Sequence, residues 1–231
     1  KGEFNRNQIE LFRNSVYHSY CYSKLIMDYF KIIPESGLGM SVGEIAMLII
    51  FSQHNLRICK DITNNLYQSK TWTDELSIKF KCLKDNWELV DCKWQGFMVN
   101  ENYMIIENEI LDNKYIKILI INTPSSTIIA GELDECLKLL KKLKCLYIKF
   151  DLNLIVHCDL TDNYYKEIAS MHDELEIPDT NNIDLYNSDN NTIYSPQKKA
   201  GNYFADIYTK RVNFINNILK SFNEGNNIYL E

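Results

Sequence analysis

The sequence is poor in arginine and proline, and it contains no long run of uncharged apolar residues. A transmembrane helix needs roughly 18 or more such residues, so none is predicted. Arg6, Arg13, Arg57 and Arg211 are the only arginines, and the formal net charge is −6. Because nucleic-acid binding relies on clustered cations, this composition argues against a protein that coats nucleic acid.

The seven cysteines show no paired spacing, and no C-x-x-C motif occurs. Disulfide frameworks and structural zinc sites both need such pairs, so we expect free thiols and no bound metal. No cofactor is expected either. Free thiols persist in reducing compartments, and the predicted location is therefore the cytoplasm or the nucleus.

The bulk composition is that of a folded protein, with 45% hydrophobic and 24% charged residues in a chain of 231. Length and composition predict a single α+β domain over residues 1–231. A flexible loop is predicted at about 179–199, where Asn and Asp dominate and little apolar surface offsets the entropy of ordering. Lys prevails over Arg, and Asn, Ile and Tyr are abundant, which is typical of an AT-rich genome.

Apolar residues recur at three- and four-residue steps in four segments, which predicts four helices. The predicted helices cover residues 7–31, 41–68, 131–146 and 202–222. Ser41 and Glu44 form the capping box S-x-x-E at the start of the second helix. Because the link between the first two helices is short, we predict an N-terminal helical hairpin.

The middle of the chain is rich in β-branched and aromatic residues that are broken by turn signals, which predicts strands. The predicted strands cover residues 77–83, 87–92, 96–99, 103–109 and 115–122, and an alternating segment covers 148–156. We therefore predict an α+β fold: the N-terminal helical hairpin, a mostly antiparallel central sheet of about five to six strands with one helical crossover, and a C-terminal helix.

Residues 155–163 have the sequence IVHCDLTDN. This string resembles the catalytic loop of protein kinases and of small kinase-like phosphotransferases, H-x-D-L-x-x-x-x-N. The resemblance implies that Asp159 is the catalytic base and that His157 anchors the loop. Asn163 comes one position before the metal-binding Asn of that pattern, and no D-F-G follows, so an enzyme centred on His157 and Asp159 is the second interpretation.

A glycine-containing turn precedes the second predicted helix and is a weak candidate for anion binding. Gly37, Gly39 and Ser41 lie where backbone N–H groups at a helix start favour a phosphate. The spacing matches neither a dinucleotide fingerprint nor a Walker loop. We identify no nucleophile elbow, so nucleophilic catalysis stays open only through a Cys and a His that meet in space.

Since no intact catalytic motif is identified, we predict a non-catalytic adaptor or scaffold subunit of an intracellular multiprotein assembly, and leave open whether the chain is an enzyme. Aromatic residues are common at interfaces. The candidate interface residues, provided they are exposed, are Trp72, Trp87, Trp94, Tyr17, Tyr22 and Tyr103. A protein partner or a homo-oligomer is expected, without a membrane or nucleic acid. Two more functions stay open: a phosphotransferase- or nuclease-type enzyme, and a viral or parasite effector or inhibitor that acts by binding protein.

Overall fold

A computed structural model describes residues 2–51, 57–77, 79–88, 92–173, 183–187 and 199–230. Its α-helices are α1 (Gly2–Lys24), α2 (Val42–Phe51), α3 (Arg57–Gln68), α4 (Lys81–Trp87), α5 (Tyr103–Glu109), α6 (Leu133–Leu143), α7 (Tyr165–Ser170), α8 (Ala200–Thr209) and α9 (Phe214–Asn223). Its strands are β1 (Ser36–Leu38), β2 (Trp94–Asn100), β3 (Ile116–Thr123), β4 (Ser126–Glu132), β5 (Leu146–Phe150), β6 (Asp184–Tyr186) and β7 (Val212–Asn213). No helix among the described residues is long and apolar enough to cross a membrane.

The chain divides into two compact units, each built from separate segments of sequence. The first unit comprises the described residues within 1–69, 164–208 and 216–231. The second unit comprises those within 70–163 and 209–215. A single domain over residues 1–231 stays a prediction, because compact units within one chain do not decide how many domains it forms.

The second unit is built on a five-stranded sheet in the order β5-β2-β4-β3-β7. β2 pairs antiparallel with both β4 and β5, β4 pairs antiparallel with β3, and the short β7 joins the edge of β3 in parallel. The prediction of a mostly antiparallel central sheet in a mixed α and β fold is confirmed. Helix α5 links β2 to β3 across β4, and α6 links β4 to β5 across β2, so two helices cross over where one was predicted.

One face of this sheet carries the hydrophobic core of the second unit. Inward residues of β2, β3 and β4 pack against α5 and α6, because strand residues alternate between faces and the helices present one apolar stripe. The buried cluster comprises Phe97, Val99, Ile106, Ile116, Ile118, Ile121, Ile129, Cys136, Leu139 and Leu140. This core stabilises the sheet, and its edge strand β5 leads into residues 151–163.

Two of the predicted strands do not form, and a third lies partly outside the described residues. Residues 103–109 form helix α5, because Asn102 caps it by accepting a hydrogen bond from the backbone N–H of Met104 at 2.9 Å and Ile106 is buried in the core. The strand predicted at 77–83 is replaced by the start of α4. The strand predicted at 87–92 begins at the last residue of α4, and its residues 89–91 lie outside the described residues.

Two other strand assignments also differ from the prediction. β4 forms where no strand was predicted. The alternating segment 148–156 is a strand only as far as Phe150. Beyond that residue the chain leaves the sheet, and it is fixed instead by the backbone N–H of Ile155, which donates to the carbonyl of Leu76 at 2.8 Å.

The first unit contains a two-stranded parallel sheet of β1 and β6, with Leu38 opposite Tyr186. The residues predicted as a short link between two helices contain β1 and a tight turn, and the helical hairpin stays a prediction. Helix α1 packs against α2 and α3. In the predicted loop 179–199, the described residues include strand β6, whereas residues 179–182 and 188–198 lie outside the described residues.

The predicted C-terminal helix 202–222 is divided in two. α8 ends at Thr209, and α9 begins at Phe214. The residues between them include β7, which pairs with β3 through Val212 and Asn213. Pairing with the sheet edge thus interrupts a segment whose apolar periodicity indicates one continuous helix.

Candidate functional site

Ser41 stands at a sharp turn between strand β1 and helix α2 in the first unit. Its φ angle is 56°, in the left-handed region that non-glycine residues rarely occupy. The turn is closed by backbone hydrogen bonds from Gly43 to the carbonyl of Met40 at 2.9 Å and from Glu44 to the carbonyl of Ser41 at 3.0 Å. Ser41 is partly exposed. A serine held at φ > 0 between a strand and a helix has the geometry of a nucleophile elbow.

The prediction that the chain has no nucleophile elbow is therefore wrong. Gly39, Ser41 and Gly43 have the spacing G-x-S-x-G, in the sequence GMSVG. The phosphate-binding patterns with which the turn was compared have a different spacing, so they do not reveal the G-x-S-x-G motif. A nucleophile elbow also needs a strand before the serine, and β1 is only three residues long, too short to show a periodic pattern.

The turn requires glycine for packing reasons at two positions. A Cβ atom on Gly39 would lie 2.3 Å from the backbone N and Cα of Glu44. A Cβ atom on Gly37 would lie 2.8 Å from the side chains of Leu185 and Phe51. Gly39 thus allows β1 to approach the start of α2, and Gly37 allows it to approach β6 and the end of α2. The predicted part of both glycines in anion binding stays a prediction.

The N-terminus of α2 places partial positive charge at the turn. Val42 is the first residue of this ten-residue helix. The first N–H groups of a helix have no acceptor within the helix, and the helix dipole places partial positive charge there. The arrangement can stabilise negative charge that develops beside Ser41.

His157 lies in the second unit, between β5 and a short 3-10 helix (Asp159–Tyr164). Only 2% of the residue is exposed, and its φ angle is 59°, again in the left-handed region. The ring Nδ1 lies 3.2 Å from the backbone carbonyl oxygen of Lys210. A carbonyl only accepts, so Nδ1 carries the proton, and the lone pair of the neutral ring is on Nε2.

Asp159, the other candidate catalytic residue, pairs with a cation of the sheet. Its side chain is 64% exposed, and its carboxylate accepts from the Lys117 ammonium at 2.8 Å. The salt bridge connects the 3-10 helix to β3. The assignment of Asp159 as a catalytic base stays a prediction.

Cys158, which follows His157, is buried and its thiol is disfavoured as a thiolate. Only 5% of the residue is exposed. Burial raises the pKa of its thiol far above the ordinary value, and the nearby Asp159 carboxylate raises it further. Between a cysteine thiol and a serine hydroxyl as the nucleophile, the local geometry therefore favours Ser41 at the elbow.

The candidate interface residues divide into buried tryptophans and exposed tyrosines. Trp72, Trp87 and Trp94 are at most 7% exposed, so they do not meet the condition of exposure. Tyr17 and Tyr22 are 50% and 68% exposed on α1. Tyr103 packs partly buried against the core of the second unit. An interface role stays a prediction for the two tyrosines of α1.

His172 is fully buried in the first unit against the rings of Phe204 and Tyr208, at 4.6 and 6.3 Å between ring centroids. Burial lowers its pKa to about 4, so the ring is neutral at physiological pH. Within the described part of the chain, no three His, Cys, Asp or Glu residues are grouped to hold a metal ion.

No family model matches the sequence. The chain is 30% identical over 246 residues to a subunit of the polyunsaturated fatty acid synthase of Thraustochytrium sp.. The alignment covers 99% of this chain and 12% of that much longer protein. The chain thus corresponds to about one eighth of its curated relative.

Solved structures with a similar fold are acyltransferases at low sequence identity. A malonyl-transacylase solved in complex with a type II polyketide synthase acyl-carrier protein matches at a TM-score of 0.70 and 12% identity, over 94% of this chain and 68% of that one. Malonyl CoA-acyl carrier protein transacylase from Clostridium perfringens matches at 0.65 and 17%, over 86% and 60%. The acyltransferase domain from module 8 of the salinomycin polyketide synthase matches at 0.66 and 15%, over 84% and 43%.

These likenesses overturn the predicted function. A non-catalytic adaptor or scaffold subunit is the wrong prediction, because the fold is that of catalytic acyltransferase domains and the curated relative is part of a fatty acid synthase. The phosphotransferase, nuclease and effector interpretations, together with the description as a protein-binding complex subunit, are wrong for the same reason. The chain has the acyltransferase fold.

Proposed function

We propose that the chain transfers an acyl group from one thioester to a second thiol through an ester on Ser41. The observation that carries the proposal is Ser41 itself, held at φ 56° in a G-x-S-x-G turn between a strand and a helix. Strain of this kind costs of order 1–3 kcal/mol and persists where it serves a function. The fold and the curated relative support an acyl substrate.

The reaction consists of two balanced half-reactions. Ser41 Oγ attacks the carbonyl carbon of the donor thioester while a general base takes its proton, and the C–S bond then breaks as the leaving thiolate takes that proton. In the second half-reaction the acceptor thiol gives its proton to the base, and its sulfur attacks the Ser41 ester. The ester C–O bond breaks, Ser41 recovers its proton from the base, and the new thioester leaves.

His157 suits the role of general base because of the ring atom that holds its lone pair. With Nδ1–H donated to the Lys210 carbonyl, the lone pair is on Nε2. The ring cannot adopt the other tautomer, with the proton on Nε2, without losing this hydrogen bond. The same donation favours the imidazolium that forms when Nε2 takes the proton.

The Val42 backbone N–H is proposed as a donor to the oxyanion of each tetrahedral intermediate. In nucleophile elbows the residue after the nucleophile supplies one such N–H. Val42 holds that position at the start of α2. Loss of one oxyanion donor costs about 10²–10³ in rate in other enzymes.

An acyl carrier protein is the proposed partner, as donor or acceptor. Support comes from one structural relative that was solved with its acyl-carrier protein. The curated relative, by its name, makes polyunsaturated fatty acids. We propose the cytoplasm, one of the two predicted compartments, as the location, and no finding favours the nucleus.

The proposal is tested by steady-state transfer from acetyl-CoA and malonyl-CoA to a holo acyl carrier protein. Ser41→Ala and His157→Ala should each lower kcat by at least about 10³, because transfer needs both a nucleophile and a general base. A double variant that loses no more than either single variant would show that the two groups act as a unit.

Thr63→Val is the control variant, because Thr63 lies on helix α3, outside the Ser41 turn and the His157 segment, and its hydroxyl donates to the carbonyl of Cys59 at 2.9 Å. Full activity in Ser41→Ala, or independent and additive losses for Ser41 and His157, contradicts the proposal. Release of free acid in place of transfer would assign the same two residues to a hydrolase.

A further inference from the structure

The backbone at His157 needs outside support to keep its conformation. A φ angle of 59° is uncommon for a residue other than glycine, and such a residue keeps it only where the surroundings determine it. On its N-terminal side, the backbone N–H of Ile155 donates to the carbonyl of Leu76 at 2.8 Å. The support on the C-terminal side comes from Thr161.

Thr161 is fully buried and makes two donations to one carbonyl. Its backbone N–H donates to the carbonyl of Cys158 at 3.0 Å, and its hydroxyl donates to the same oxygen at 2.6 Å. Cys158 directly follows His157. The two bonds therefore hold the peptide unit between Cys158 and Asp159, one residue beyond His157.

The same hydroxyl oxygen lies 3.4 Å from the backbone carbonyl oxygen of Thr209. Thr209 is the last residue of α8, and it directly precedes Lys210. Lys210 is the residue whose carbonyl accepts from the His157 ring. One side chain thus touches the residue after the histidine and the residue before its hydrogen-bond acceptor.

An ion pair joins the same two segments at the surface. The Lys210 ammonium donates to Asp162 at 3.2 Å, with both side chains about half exposed. Exposed pairs of this kind contribute little to stability. The Thr161 hydroxyl is the buried contact between the same segments, and it is shielded from water.

We propose that Thr161 is a positioning residue for His157: its hydroxyl sets the distance between the ring Nδ1 and the Lys210 carbonyl, and so keeps the proton on Nδ1. Without it the ring samples both tautomers, and Nε2 is a base for only part of the time. The inference rests on the proposed function in what it says of catalysis, but the tautomer is a property of the protein alone.

The first test reads the tautomer without substrate. Protein labelled with ¹⁵N-histidine is measured by NMR at pH 8, and the His157 signal is assigned by its loss in His157→Gln; the chain has four histidines. The wild type should show Nδ1–H almost alone. Thr161→Val, which keeps the shape and removes the hydroxyl, should show a mixture of both tautomers.

The second test reads catalysis and rescue. Thr161→Val should lower kcat about tenfold or more and change KM less than about twofold, because a small misplacement of a reacting group costs up to 10² in rate. Thr161→Ser keeps the hydroxyl and should retain at least half of kcat. The matched control is Thr63→Val, since Thr63 is a buried threonine that donates to the carbonyl of Cys59 at 2.9 Å.

Each outcome decides between the two ideas. A wild-type tautomer ratio in Thr161→Val overturns the positioning role, whether or not the chain transfers acyl groups. Equal losses in Thr161→Val and Thr63→Val also overturn it, since they indicate a general cost of removing a buried hydroxyl. A mixed tautomer in Thr161→Val, beside a wild type that transfers no acyl group, would leave the positioning role standing and contradict the proposed function.

Discussion

The imidazole Nδ1 of His157 lies 3.2 Å from a backbone carbonyl oxygen, that of Lys210. The group that accepts from the ring at this atom is therefore a neutral main-chain oxygen. It sits on the link between α8 and β7, and β7 is paired to the edge of the sheet. The position of the base is thus fixed by the fold of the second unit.

Because the acceptor is a main-chain atom, the Lys210 side chain should be dispensable. Lys210→Ala removes the exposed ion pair with Asp162 and leaves the carbonyl in place, so kcat of acyl transfer should stay within about threefold of the wild type. His157→Ala should lose about 10³ or more under the same conditions. A loss of tenfold or more in Lys210→Ala would show that the ammonium group takes part.

We expect the strained backbone at Ser41 to lower the free energy of unfolding of the protein. Ser41→Gly and Ser41→Ala both remove the hydroxyl, but only glycine adopts φ 56° without strain. The free energy of unfolding of Ser41→Gly should therefore be about 1 kcal/mol higher than that of Ser41→Ala. Urea denaturation followed by circular dichroism measures the difference. Equal stability of the two variants would mean that the turn stores no strain at this residue.

The two glycines that flank Ser41 should respond oppositely to alanine. Gly39→Ala places a Cβ 2.3 Å from the Glu44 backbone, so its free energy of unfolding should fall by well over the ~1 kcal/mol of an average substitution. Gly43→Ala meets nothing within 4 Å on helix α2 and should be neutral or more stable by up to about 1 kcal/mol. Thermal unfolding of the pair gives the comparison, and similar melting temperatures would contradict the packing described for the turn.

His172 should make the stability of the protein fall in mild acid. Burial lowers its pKa from 6.5 to about 4, so the unfolded chain binds the proton more tightly than the folded one. The stability that the neutral His172 ring contributes is fully present above pH 6.5, and it declines as the pH falls from 6.5 towards 4. The loss between pH 7 and pH 5 should be about 2 kcal/mol.

The control for this effect is His172→Leu, measured by urea denaturation at both pH values. The leucine variant has no group to titrate at this position, so its difference in stability between pH 7 and pH 5 should be smaller by about 2 kcal/mol. An unchanged difference would place the acid sensitivity elsewhere in the protein.

The central sheet shows what sequence patterns could and could not predict. β2, β3 and α6 lie close to their predicted segments, because their patterns extend over several residues and agree with burial. Helix α5 was predicted as a strand because Tyr103, Ile105 and Ile106 favour strands locally. The cap by Asn102 and the burial of Ile106 against the sheet decide otherwise, and tertiary packing of this kind is not visible in a local pattern.

The candidate site was predicted in part and for other reasons. His157 was singled out through a kinase-like string, although its structural role depends on Lys210, which is 53 residues away in sequence. Ser41 was singled out as part of an anion-binding turn, whereas its G-x-S-x-G spacing, visible in the sequence, is the pattern of a nucleophile elbow. The contact between Thr161 and Thr209 has no sequence signal, because it depends on how the chain returns to the sheet.

The most direct test of Ser41 as the nucleophile is the intact mass of the protein after brief incubation with acetyl-CoA or malonyl-CoA without an acceptor. We expect a gain of one acyl group, located by peptide mapping on the fragment that contains Ser41 and released by added thiol. Ser41→Ala should show no gain, and His157→Ala should gain the group at least about 10³ times more slowly. An acyl group on a cysteine, or on Ser41→Ala as readily as on the wild type, would contradict the assignment of Ser41 as the nucleophile.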